Sequence, residues 1–187
     1  MGTGLRRAEL PVRVLGVDPG TVRTGWGVVE RHGRTIKFCA GGVLTAKGFH
    51  SLPERLRVIY AGIVDVIHAW NPQVLSLEKA FLAYNVQSAF RLGEARGVVL
   101  LAGAQAGVRL VEYSPAEIKT AVVGYGRAEK NQVQKAVFAL LGGGKAPEAL
   151  GLPVSQDATD ALAAAICHLH TARLAEHVQE VERQVKE

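Results

Sequence analysis

With 187 residues, 48% of them apolar, the chain is long enough for one domain with a sizeable core and too short for two of ordinary size. It has no uninterrupted apolar run of about 18 residues, which argues against a membrane span, and residues 1–10 lack the apolar stretch of a secretory leader, so a soluble cytoplasmic protein is expected. A formal net charge of +5 and a pI of about 9.4 favour nucleic acid or another anionic surface over an acidic protein partner.

Residues 1–11 read as a mobile extension, 12–175 as a single domain and 176–187 as a charged tail. The run 12–18 has apolar residues at both alternating sets of positions, the pattern of a strand buried on both faces. Asp18-Pro19-Gly20 then turns the chain. Two further strands are expected over 24–30 and 34–44, joined by a hairpin turn at Arg31-His32-Gly33. Leu52, Leu56, Ile59, Ile63, Val66 and Ile67 recur at helical spacing over about 51–69. Ser51 is placed to cap that helix, with Pro53 in the first turn and Glu54 three residues on, and Asn71-Pro72 stops it.

A fourth strand is expected at 73–78, a helix at 85–106, a fifth strand at 108–113 and a short helix after Ser114-Pro115. A helix over 128–141 ends in Gly142-Gly143-Gly144, which opens a flexible loop to about Ser155. An alanine-rich helix follows from about 156 to 175, and the charged tail after it either continues the helix or frays. This order implies an α/β fold with a mixed five-stranded sheet, three strands antiparallel and two parallel, and helices on both faces.

Acidic residues sit at three expected edges of that sheet. Asp18 ends the first strand, on the face of Val14 and Gly16, and serves as a ligand or simply starts the turn. Glu78 ends the fourth strand, where parallel sheets bind ligands, or is a solvated loop residue. Asp157 and Asp160, at i and i+3, share one side of the last helix and otherwise complement its dipole. The alanines after them allow that helix to lie close to the sheet. Four acids gathered together need a cation or retained protons, and hard oxygen ligands suit Mg²⁺ or Mn²⁺. Two such ions would equip the site for phosphodiester hydrolysis.

Cys39 and Cys167 have no ligand-spaced partner and read as free thiols, and His168 and His170 point to different faces of their helix.

The segments Leu15-Gly16-Val17-Asp18-Pro19-Gly20 and Thr24-Gly25-Trp26-Gly27-Val28 resemble the opening of the RuvC family of bacterial Holliday-junction endonucleases. The likeness continues through Arg55-Leu56, Ile59-Tyr60-Ala61-Gly62, Glu78-Lys79-Ala80-Phe81 and Leu92-Gly93-Glu94-Ala95-Arg96-Gly97. Val122-Val123-Gly124-Tyr125-Gly126, Ala128-Glu129-Lys130 and Asp157-Ala158-Thr159-Asp160-Ala161-Leu162-Ala163 complete it, over about residues 12 to 170 in order. A series of this length is far more specific than one short motif.

The resemblance implies an RNase H-like fold and a homodimer that nicks a four-way DNA junction with Mg²⁺ or Mn²⁺. It suggests a branch-migration motor as partner. It puts the catalytic acids on Asp18, Glu78, Asp157 and Asp160, with histidine replacing Asp157 in some members. It implies DNA contacts at Lys119 and Lys130; Arg91, Arg96, Arg127 and Lys135 are further candidates. Phe81 either stacks on an unpaired base or packs in the core. Ala89, Gly93 and Gly97 form a small-residue stripe that faces either the sheet or a second subunit.

Three rivals stand beside this reading. An actin-like ATPase domain needs a second phosphate turn, which the chain lacks. A nuclease of the same fold acting on structured RNA would need the same acids. A non-catalytic junction binder would be better served by fewer negative charges near the phosphates.

Overall fold

The computed structural model describes residues 11–79, 86–143 and 147–186. The sheet strands are β1 (Val12–Asp18), β2 (Arg23–His32), β3 (Thr35–Thr45), β4 (Val74–Glu78) and β5 (Arg109–Tyr113). Their order is β3-β2-β1-β4-β5. β1, β2 and β3 pair antiparallel, whereas β4 lies parallel to both β1 and β5. This is the mixed five-stranded sheet expected from the strand and helix sequence.

The helices are α1 (Leu52–Trp70), α2 (Val86–Gln105), α3 (Pro115–Val123), α4 (Lys130–Gly142) and α5 (Gln156–Lys186). Alternation along β1 divides the core between two layers. Leu15 and Val17 pack with Ile59, Ile63 and Val99 of α1 and α2. Val14 packs on the other face with Ile118, Val133, Leu162 and Ile166 of α3, α4 and α5. The fully buried middle of the strand, 14–17, is therefore apolar on both faces, with glycine at 16 where α5 comes too close for a side chain.

Local signals set most boundaries. Ser51 caps α1 in a full capping box with Glu54, and Asn71, in a left-handed conformation, closes it with its N–H on the Ile67 carbonyl. Ser114 and Glu117 form the same box on α3.

Several boundaries differ from expectation. The β2–β3 turn is only Gly33-Arg34, because Arg31 and His32 stay in the ladder opposite Ile36 and Thr35. Gly33 takes the positive φ of 56° that so tight a turn demands. α4 starts at Lys130, two residues later than its pattern suggests, and Ala128 before it is buried. From residue 147 on, the connection to α5 is anchored rather than loose. It contains a 3₁₀ turn at Pro147–Leu150, Leu152 is buried, and Gln134 Nε2 donates to the Val154 carbonyl. Of the two courses open to the charged tail, α5 takes the continuation and runs to Lys186, since the tail contains neither Gly nor Pro to stop it. Among the described residues no helix is long and apolar enough to cross a membrane.

Candidate active site

The register of the sheet places Asp18 and Glu78 side by side. Gly16 pairs with Ser76 and Val17 with Leu77, so the next residues, Asp18 and Glu78, end their strands together at the carboxyl edge of the sheet. Period-2 alternation turns Val14, Gly16 and Asp18 of β1, and Val74, Ser76 and Glu78 of β4, toward the same layer, that of α5.

Glycine is what lets α5 approach. A Cβ on Gly16 would stand 1.9 Å from the Ala161 carbonyl oxygen, and one on Gly25 would stand 1.9 Å from that of Asp157. A Cβ on Gly27 would meet the Leu162 side chain at 2.5 Å. Ser76 Oγ, fully buried, donates to the Ala164 carbonyl at 2.8 Å and ties β4 to the same helix. The alanines of α5 supply one half of this close packing and the sheet supplies the other.

The first turn of α5 thereby overhangs the strand ends. Asp18, Glu78 and Asp160 line one open cleft of about 400 Å³, together with Lys79, Arg96, Lys119 and Lys130. Asp160 Oδ1 accepts from Gln156 Nε2 at 2.7 Å, and its Oδ2 lies 3.7 Å from Lys130 Nζ. Asp157 does not line this cleft; its Oδ2 accepts from Arg23 Nε at 2.6 Å. The i, i+3 pair is thus split, because the helix face they share straddles β2 and the β1–β4 edge.

The electrostatics record the crowding. Burial, then the charges of Asp160, Glu78 and Asp157, push the Asp18 carboxyl up to about 7, against a small opposing pull from Lys130. Desolvation and Asp160 also raise Glu78, while Lys130 and Lys119 draw it down. Asp160 is raised chiefly by burial, with Gln156 and Lys130 acting the other way. The site is short of positive charge, and a hard divalent cation on carboxylate oxygens would supply it. Among the described residues no three such groups already stand at ligand spacing. The Asp160 carboxylate is engaged by Gln156 and Lys130, and that of Asp157 by Arg23.

The basic residues fall into two sets. Lys119 and Lys130 line the cleft. Arg96 lines it too, but it forms an ion pair with Glu112, so much of its charge is already matched. Arg91, Arg127 and Lys135 are exposed and lie outside the lining. Phe81 falls outside the described residues. Gly93 and Gly97 are exposed, and a Cβ on either would meet nothing within 4 Å, so their stripe does not serve packing on the protein's own sheet. Neither His168 nor His170 approaches the acids: His168 Nδ1 bonds the Tyr113 hydroxyl and His170 Nδ1 the Ala121 carbonyl.

Lys79, Arg23, Gln156, Ser76, Gly25 and Gly27 had no separate role in the sequence reading. Lys79 could have been found by its position next to Glu78, and Gln156 by its i, i+4 spacing to Asp160. Arg23 lies 134 positions from Asp157, and no local pattern links them.

Acids at the carboxyl edge of the two central strands, faced by acids from a helix across the sheet, define the class of RNase H-like nucleases. The family model of the crossover junction endodeoxyribonuclease RuvC matches residues 14–168. RuvC of Magnetococcus marinus is 44% identical over 160 residues, 86% of this chain and 85% of that protein. RuvC of Chloroflexus aggregans is 45% identical over 161 residues, 86% of this chain and 94% of that protein. The structure of Thermus thermophilus RuvC in complex with a Holliday junction substrate superposes with a TM-score of 0.79 at 32% identity, covering 88% of this chain and 96% of that one. The yeast mitochondrial Holliday junction resolvase Ydc2, at 15% identity and a TM-score of 0.68, shares the fold. The chain belongs to the RuvC family of crossover junction endodeoxyribonucleases.

Proposed function

We propose that this protein resolves Holliday junctions by paired, symmetric nicks, in homologous recombination and DNA repair. The observation that carries the reading is the convergence of Asp18, Glu78 and Asp160, from β1, β4 and α5, on one cleft whose rim holds Lys79, Lys119 and Lys130. The acids fit divalent ions, and the lysines fit the phosphates of a strand laid across them.

Asp18, at the centre, would help to hold both of two divalent ions. Glu78 would hold one of them, and Asp160 with Asp157 the other. Mg²⁺ suits the oxygen set, and Mn²⁺ would substitute for it. When bound, two such ions activate a water for in-line attack and offset the charge on the departing 3′ oxygen. The products would carry 5′-phosphate and 3′-hydroxyl ends and be ligatable.

Lys119 and Lys130 would fix the strand by its phosphates, with Arg91 and Arg127 reaching DNA further out. Phe81, three residues past Glu78, would stack on a base unpaired at the junction centre. Cutting two strands symmetrically needs two sites related by a two-fold axis, hence a homodimer. The outer face of α2 suits that contact. Val86, Phe90 and Leu101 are 67%, 69% and 52% exposed there, on one stripe with Gly93 and Gly97. A branch-migration motor is the further partner this reading suggests.

The test is a synthetic four-way junction, labelled on each strand in turn and incubated with Mg²⁺ beside a linear duplex of the same sequence. Paired, ligatable nicks in the junction alone are expected. Equal cutting of the duplex would refute the substrate assignment.

A further inference from the structure

Asp157 differs from the other three acids in one respect: it is hydrogen-bonded directly to a guanidinium. Arg23 Nε donates to Asp157 Oδ2 at 2.6 Å, and Asp157 is absent from the cleft that Asp18, Glu78 and Asp160 line. The backbones on both sides are fixed. Gly25 lies so close to the Asp157 carbonyl that a Cβ there would stand 1.9 Å from its oxygen. Arg23 is held in the ladder opposite Thr45, and a Cβ on Gly20 would stand 2.4 Å from the Arg23 carbonyl oxygen. The two side chains retain freedom, being 54% and 33% exposed.

The charge-assisted bond through Oδ2 draws the Asp157 carboxylate toward Arg23 and leaves only its Oδ1 for an ion in the cleft, so the guanidinium and a cation compete for the same group. We propose that Arg23 is a positioning residue that competes with the second divalent ion for Asp157, so that the DNA-free protein binds this ion more weakly than the first. The inference rests on the two-ion reading of the site given above. It concerns the side chain at position 23, which enters no step of the cleavage itself.

The test is calorimetric titration of Mn²⁺ into the full-length, DNA-free protein. The wild type should show a tighter and a weaker binding step. Arg23→Gln should tighten the weaker step roughly two- to fivefold, the range for freeing one member of a partly exposed ion pair, and leave the tighter step in place. In an Asp157→Asn background the same Arg23 substitution should change nothing, which separates a specific pair from general loss of positive charge. An unchanged weaker step in Arg23→Gln, equal tightening of both steps, or a gain that persists with Asn at position 157 would each overturn the proposal. A wild type that takes up no Mn²⁺ would instead remove the two-ion reading beneath it.

Discussion

Asp18 carries opposing demands: the fold buries it among like charges, and the proposed chemistry needs it ionised. Its carboxyl is pushed from 3.8 up to about 7, so the folded metal-free chain holds this proton more tightly than the unfolded chain does. The sign follows from linkage. Between those two values folding takes up a proton, so metal-free stability falls as pH rises through that window. Asp18→Asn removes the charge and should raise the melting temperature of the metal-free protein at pH 8. The gain is about 1–2 kcal/mol after allowance for the residue's partial exposure, or roughly 3–6 °C. The difference should vanish below about pH 4, the unfolded-state range of the carboxyl. The same variant should bind junctions and fail to cut them; near-normal cleavage would contradict its role. Lys119 makes a second prediction at this scale. Lys119→Ala should reduce the log–log salt slope of junction binding by about one, as one phosphate contact is lost.

Glycine at the contact of α5 with the sheet decides whether the acids meet at all. Gly25→Ala would drive a methyl group into the Asp157 carbonyl, and Gly16→Ala would do the same at Ala161. Backbone cannot yield there as a flexible side chain would, so each should cost roughly 1–3 kcal/mol or more. Each should also lower cleavage beyond what the fraction unfolded accounts for, because α5 moves away from β1. Thermal melts beside activity on the folded fraction would separate the two effects. α2 provides the contrasting case. Phe90 is 69% exposed and, among the described residues, nothing fills the space beside Gly93 and Gly97, so Phe90→Asp should leave the protomer's core intact. If the stripe is the dimer contact, sedimentation should shift from dimer to monomer, and paired nicking should fail.

The whole molecule couples metal, charge and junction. Chelation should abolish cutting while leaving junction binding, because the lysines of the rim do not depend on the ions. Added Mg²⁺ should raise the melting temperature, and more so at pH 8 than at pH 6, because binding displaces protons from Asp18 and its neighbours. An equal rise at both values would show that the raised carboxyls are not the ligands.

Periodicity and caps made the fold legible in the chain alone. β1 is apolar on both alternating sets because two helical layers cover it, and Ser51 and Ser114 mark helix starts because their hydroxyls satisfy open backbone donors. Those signals are local, as are the turn after Asp18 and the i, i+3 spacing of Asp157 and Asp160. The four acids were therefore legible as candidates in the chain alone, and the family resemblance joined them into one proposed site. Tertiary structure decided what local signals cannot carry. It turned Asp160 into the cleft and Asp157 to Arg23, since which side of a helix meets which strand depends on sheet order and register. It gave Gly25 and Gly27 their purpose, as a missing side chain has meaning only beside the backbone or side chain that fills its place. It also left Gly93 and Gly97 exposed, because a small-residue stripe does not specify its partner.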